Sequence, residues 1–177
     1  AFAPWGNLWL TFENEGDRLY NMELYDIAGR LYERAALVCD ASKVDALVRL
    51  WRYVGLSAQK GGDVQKAAEA FKRGLDLRKD YGLYEELENL YRTSGNPREA
   101  LFWARQLVGH LKEEGESDMV AGAYNCLGVD AMSAMSDKGL SQEDRLSCFK
   151  ESYEAFMEAA SLLEESRSRT IVANRAG

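Results

Sequence analysis

Proline is almost absent from this chain. Pro4 and Pro97 are the only two in 177 residues. A chain with so few helix breaks, rich in Ala, Leu, Glu, Lys and Arg, is free to be helical along most of its length. Histidine is scarcer still, with His110 alone. One histidine excludes two-histidine metal sites and the H-E-x-x-H zinc motif, and no Ser or Cys stands in a visible relation to it for a catalytic triad. The three cysteines, Cys39, Cys126 and Cys148, are odd in number, far apart and in no C-x-x-C arrangement. That argues against a disulfide framework or a zinc knuckle and for reduced thiols in a cytoplasmic, reducing compartment. Basic residues are the minority, 22 against 29 acidic, for a net charge of −7. A surface of that sign does not suit nucleic acid. Long apolar runs are also missing, since charges cut them well short of the ~20 residues that cross a bilayer. Glycines such as Gly55, Gly61, Gly62 and Gly74 follow no strand and form neither a phosphate loop nor a dinucleotide fingerprint.

What is present is helical periodicity. From Leu19, apolar residues recur at Met22, Leu24, Ile27, Ala28, Leu31, Tyr32, Ala35 and Ala36, the 3-and-4 spacing of an amphipathic helix. No segment alternates with the period of a strand. Gly61-Gly62 breaks one helix and Asp63 caps the next. Asn96-Pro97 is a start signal, because Asn caps and Pro fits the first helical position. Ser117 and Ser141 are further N-caps, and Ser141 with Asp144 makes a variant of the capping box. The spacing predicts eight helices, near 4–14, 17–38, 42–60, 63–78, 81–94, 97–113, 117–136 and 141–166. Short connections between them favour antiparallel hairpins. The expected domain is a single one over 1–166, followed by a loose tail, 167–177, with Arg167, Arg169 and Arg175.

An internal repeat organises these helices. Trp51-x2-Val54-Gly55-x2-Ala58 is followed by Gly62-Asp63, then Ala67-x3-Phe71-x2-Gly74. Tyr84-x2-Leu87-Glu88-x2-Tyr91 is followed by Gly95-Asn96, then Ala100-x3-Ala104-x2-Leu107. The register from Trp51 to Tyr84 is 33 residues. A later copy opens at Tyr124-x2-Leu127-Gly128-x2-Ala131 and resumes, after a longer turn, at Ser152-x3-Phe156-x2-Ala159. A first copy fits Trp5-x2-Leu8-Trp9-x2-Phe12-x3-Gly16-Asp17, with Ala28, Tyr32 and Ala35 about two turns late. A lone helical hairpin cannot bury its apolar face, whereas stacked hairpins build a continuous core. Small residues at Gly55, Gly128, Ala67 and Ala100 would let helices approach, and Trp51, Tyr84, Tyr124, Phe71 and Phe156 would fill between them.

This pattern resembles the tetratricopeptide repeat family, whose two-helix unit spans about 34 residues. The resemblance covers roughly 5–166. It departs from the family in lacking the closing Pro of each unit and in placing Glu88 where a Gly is usual. It implies an all-α fold, a right-handed superhelix of about four antiparallel hairpins, and a concave groove lined by the first helix of each unit. Those groove positions are Arg49, Arg52, Tyr53, Leu56, Gln59 and Lys60 in the second unit. In the third they are Gly82, Glu85, Glu86, Asn89, Arg92 and Thr93. In the fourth they are Gly122, Asn125, Cys126, Val129, Met132 and Ser133. Some relatives grip a chaperone's C-terminal carboxylate with a Lys/Asn set. Arg52, Leu56 and Glu86 stand at three of those places here, so that set is not matched.

The function expected from this reading is a protein–protein interaction module, not an enzyme, holding a peptide or helix of a partner protein. The candidate binding residues are Arg49, Arg52, Tyr53, Lys60, Asn89, Arg92 and Asn125. Arg supplies forked hydrogen bonds to carboxylates and Asn can bond a peptide backbone, so the partner is expected to be acidic near the Arg cluster. Catalytic residues, metal, cofactor, nucleic acid and membrane are not expected. Acidic pairs such as Glu85-Glu86 and Glu164-Glu165 read as solvated helix faces. The alternative is a scaffold subunit that meets its partners through its ends and convex face. The aromatic end Phe2, Trp5, Leu8 and Trp9 is either a cap on the first hairpin or such a contact surface.

Overall fold

The computed structural model describes residues 7–115 and 117–176, with side chains left out at 117, 118 and 168–176. Phe2 and Trp5 of the aromatic end therefore lie outside the described residues. The fold class is all-α, and among the described residues there are eight helices. They are α1 (Leu8–Asn21), α2 (Tyr25–Val38), α3 (Val44–Lys60), α4 (Val64–Leu77), α5 (Tyr81–Thr93), α6 (Pro97–Glu114), α7 (Ser117–Met135) and α8 (Gln142–Ala176). Consecutive helices pack as hairpins: α1 on α2, α3 on α4 and α7 on α8, with α2 also on α3 and α6 on α7. No helix among the described residues is long and apolar enough to cross a membrane.

Where the sequence suggests one domain over 1–166, the contacts cluster into two compact units, Ala1–Leu90 and Tyr91–Gly177. The backbone of α8 also continues to Ala176, past the Arg167 at which a loose tail is expected.

The first unit is built around Trp9, Ala28, Tyr32, Ala35, Leu47, Leu50, Val54 and Ala70, all buried. Trp9 is thus a core residue, with Lys43 Nζ 5.6 Å from its ring centre. Glycines on α1 and α3 bring these helices close to their partners. A Cβ on Gly55 would stand 2.3 Å from Cε1 of Phe71, a ring that is fully buried. The Gly55–Phe71 contact is therefore possible only because the glycine has no side chain.

The same device corrects the expected start of the chain. Gly16-Asp17 reads locally as a turn, yet Gly16 is buried inside α1 with the Tyr32 ring lying on it. A Cβ there would be 2.8 Å from Cε1 of Tyr32. The α1–α2 turn falls at Met22–Leu24 instead, where Glu23 takes a positive φ of 61°. Gly16 to Tyr32 and Gly55 to Phe71 are the same interval. The two-turn delay of Ala28, Tyr32 and Ala35 was therefore a misplaced first helix. Tyr32 is fixed further by its hydroxyl, which donates to Asp17 Oδ1 at 2.7 Å.

The second unit buries Ala100, Leu101, Ala104, Leu107 and Leu111 of α6, Ala123, Leu127, Ala131 and Ala134 of α7, and Cys148, Ala155 and Ala159 of α8. Gly128 lies under Phe156, where a Cβ would come within 2.8 Å of the ring. Ser152 Oγ donates to the Gly128 carbonyl at 2.9 Å, tying α8 to α7 at the same level. The longer α7–α8 connection is clamped at Asp137. Its carboxylate accepts from Gly139 N–H at 2.8 Å and pairs with Arg98 Nε at 2.6 Å. These contacts, the Gly139 N–H first, hold the Asp137 carboxyl below the usual carboxylate range.

The caps expected at Asp63 and Ser141 form, Asn96 differs, and the side chain of Ser117 lies outside the described residues. Asp63 accepts from Lys66 N–H at 3.0 Å. Ser141 Oγ accepts from Asp144 N–H at 3.1 Å and donates to Asp144 Oδ2 at 2.7 Å, closing the capping-box variant. Asn96 sits at the N-cap before Pro97 but makes no side-chain cap bond. Its amide turns back instead and donates to Ser94 Oγ at 3.0 Å.

Candidate functional site

Helix α3 buries Leu47, Val48, Leu50, Val54, Gly55, Ser57 and Ala58. The positions left on its other side are Arg49, Arg52, Tyr53, Leu56, Gln59 and Lys60, half-buried or exposed. Those are the residues assigned to the groove on α3. The helix turns this face outward because its apolar residues need the opposite side.

The chemistry of the face differs from that of a bare arginine cluster. Arg49 donates through Nε to Glu13 Oε1 at 2.9 Å and through Nη2 to Glu13 Oε2 at 3.2 Å. Glu13 comes from α1, and its side chain is only 8% exposed. Arg52 donates through Nε and Nη2 to Glu86 Oε1 of α5, at 3.3 and 2.7 Å. Its guanidinium also covers Gly82, where a Cβ would lie 3.0 Å from Nη1. Each arginine therefore already holds a carboxylate, and the two pairs link α1 to α3 and α3 to α5.

Tyr53 stacks on Tyr32 with ring centres 5.1 Å apart and planes at 28°. Tyr20 and Tyr25 form an edge-to-face pair at 5.1 Å nearby in sequence. Lys60 is exposed at the end of α3, and Asn89 is half-buried on α5. The structure thus brings Arg49, Arg52 and Tyr53 onto one tied face in the first unit. Arg92 and Asn125, both exposed, belong to the second unit.

In the second unit, Gly122, Asn125, Val129, Met132 and Ser133 of α7 are exposed and Cys126 is half-buried. Ser133 Oγ is occupied by the Val129 carbonyl at 2.9 Å. This face is small and apolar where the α3 face is charged and paired. The cysteines carry no visible chemistry. All three are thiols, and burial pushes those of Cys39 and Cys148 up. His110 is buried late in α6. No cluster of three or more His, Cys, Asp or Glu suited to a metal ion occurs among the described residues. A crevice of about 400 Å³ lies between α2, α3 and α4 and is lined by Glu33, Trp51, Lys66, Glu69 and Arg73. None of the candidate binding residues lines it.

Two features escaped the sequence. Glu13 was missed because its partner Arg49 lies 36 residues away in sequence. The exposed apolar residues Leu146, Phe149, Tyr153 and Met157 of α8 were visible as a 3-and-4 pattern, but the repeat register drew notice only to Ser152, Phe156 and Ala159.

No protein-family model and no curated protein matches this chain. Among solved structures, it is similar to BtubC (BKLC) from P. vanneervenii, with a TM-score of 0.55 at 15% identity. The match covers 96% of this chain and 82% of that one. At that identity the likeness concerns the fold alone.

Proposed function

We propose that this chain is a protein–protein interaction module that receives a peptide or helix of a partner on the open face of α3. It works by binding, without covalent chemistry. The observation that carries the reading is the tied face itself. Arg49, Arg52 and Tyr53 are each held in place by a neighbour from another helix, so little side-chain entropy is lost when a ligand docks. The tetratricopeptide resemblance supports the same use of these positions. Because Glu13 and Glu86 neutralise the two arginines, an acidic ligand would have to share or displace a carboxylate. The face therefore favours ligands that add hydrogen bonds and aromatic contact over ligands that bring charge alone.

The alternative is a scaffold subunit working through its outer surfaces, and the exposed apolar stripe of α8 favours it. An exchange of charges separates the two readings. Arg52→Glu with Glu86→Arg keeps an ion pair but moves the cation from α3 to α5. If the α3 face binds, the swapped chain folds, by circular dichroism, and captures fewer partners than the original. Partners captured equally by both would move the function to the outer surfaces.

A further inference from the structure

Helix α8 meets α7 through Cys148, Ser152, Ala155 and Ala159, all buried. On a different side of the helix it carries a second apolar series: Leu146, Phe149, Tyr153, Phe156, Ala160 and Leu163. The intervals alternate three and four, the seam of a coiled coil. Phe156 is half-buried on Gly128, but Leu146, Phe149, Tyr153 and Leu163 are 53, 54, 61 and 61% exposed. Met157 widens the stripe at 55%. A helix face that meets only water is normally polar. The contrast with α4 is direct: its outer positions are Gln65, Lys66, Glu69, Lys72, Arg73 and Asp76, all exposed and polar.

The edge of the stripe says what fits it. On helical geometry, Glu143, Glu154 and Glu164 fall along its free side with Lys150 among them, all four exposed, while the exposed Arg145 and Arg167 lie at the two ends of the stripe. The other side is taken by α7. A second copy of this chain would bring the same acidic edge and a net charge of −7, which opposes self-association. We propose that the outer stripe of α8 docks an amphipathic helix of a partner protein, one with an apolar seam flanked by Lys or Arg. This proposal does not rest on binding at the α3 face.

The test uses the full chain and two designed three-heptad peptides with Leu at the seam, one flanked by Lys and the other by Glu. Binding is read by fluorescence anisotropy, and self-association by sedimentation. The Lys-flanked peptide should bind the original chain at least about tenfold more tightly than the Glu-flanked one. Phe149→Glu/Tyr153→Glu should weaken that binding by about tenfold or more, although it makes the chain more negative. Phe149→Ser/Tyr153→Ser should weaken it similarly without changing charge. These positions are exposed, so both variants should keep the helical circular dichroism signal. Binding that is unchanged or strengthened in the Glu variant would show charge attraction alone and overturn the proposal. Equal binding of the two peptides would also overturn it, as would a dimer of the original chain that the variants abolish.

Discussion

The hairpins α3–α4 and α7–α8 use one device and finish differently. In each, a glycine on the first helix lies under an aromatic ring on the second, Gly55 under Phe71 and Gly128 under Phe156. The interval between glycine and ring is much longer in the second hairpin, partly because the α7–α8 connection is longer and mostly because Phe156 lies deeper in α8 than Phe71 does in α4. The close approach survives the change in turn length because it depends on the pair of side chains and not on their spacing. What differs is the outer surface. Helix α4 shows water a charged face, whereas α8 shows it Leu146, Phe149, Tyr153 and Met157. A shared packing rule can therefore serve a hairpin whose second helix shows water a charged face and one whose second helix shows it an apolar stripe.

The largest effect should come from placing a methyl group under the ring. Gly55→Ala should destabilise the chain by about 3 kcal/mol in denaturant unfolding, because Phe71 is fully buried and has no room to move. Gly128→Ala should cost about 1 kcal/mol, since Phe156 is half-buried and can yield. Equal costs would break the comparison.

Next is Tyr32→Phe, which removes the hydroxyl that bonds Asp17, at a cost of about 1.5 kcal/mol. Burial, then the Asp17 hydrogen bond, push the Tyr32 phenol far above the ordinary tyrosine range. The folded chain thus keeps a proton that the unfolded chain gives up near pH ~10. This contribution is complete below that pH and is lost as pH rises above it. Tyr32→Phe should therefore flatten the alkaline fall in stability, measured by unfolding at a series of pH values.

A double-mutant cycle on Glu13 and Arg49, both to Ala, should give a coupling of about 1 kcal/mol, limited because the arginine is half exposed to screening water. The smallest effect, about 0.5 kcal/mol, is expected for Ser141→Ala, which opens the capping box of α8. Hydrogen exchange should then speed up in the first turn of that helix and nowhere in α4.

Much of this fold was legible because helix periodicity and caps are local. Asp63, Pro97 and Ser141 start their helices where the sequence puts them, and α3 to α7 lie within a few residues of expectation. Gly16-Asp17 misled because a glycine followed by an acid is locally a turn. Only the distant Tyr32 shows that this glycine makes room for a ring. The candidate face on α3 was legible through the tetratricopeptide resemblance, which implies Arg49, Arg52 and Tyr53, while helical spacing puts Arg49, Arg52 and Lys60 on one stripe. That these arginines are already paired was not, because Glu13 and Glu86 lie 36 and 34 residues away in sequence. The stripe on α8 went unread because its residues alternate with a second apolar series that packs on α7, and sequence does not say which series finds a partner.

The most direct measurement is photo-crosslinking from the two surfaces of the first unit. A photo-reactive amino acid replaces Lys60, exposed on the proposed binding side of α3, or Glu69, exposed on α4. Both variants are irradiated in extracts of the source cells. The account predicts a discrete protein adduct from position 60 that is absent from position 69. Adducts from position 69 alone, or the same adducts from both, would contradict it.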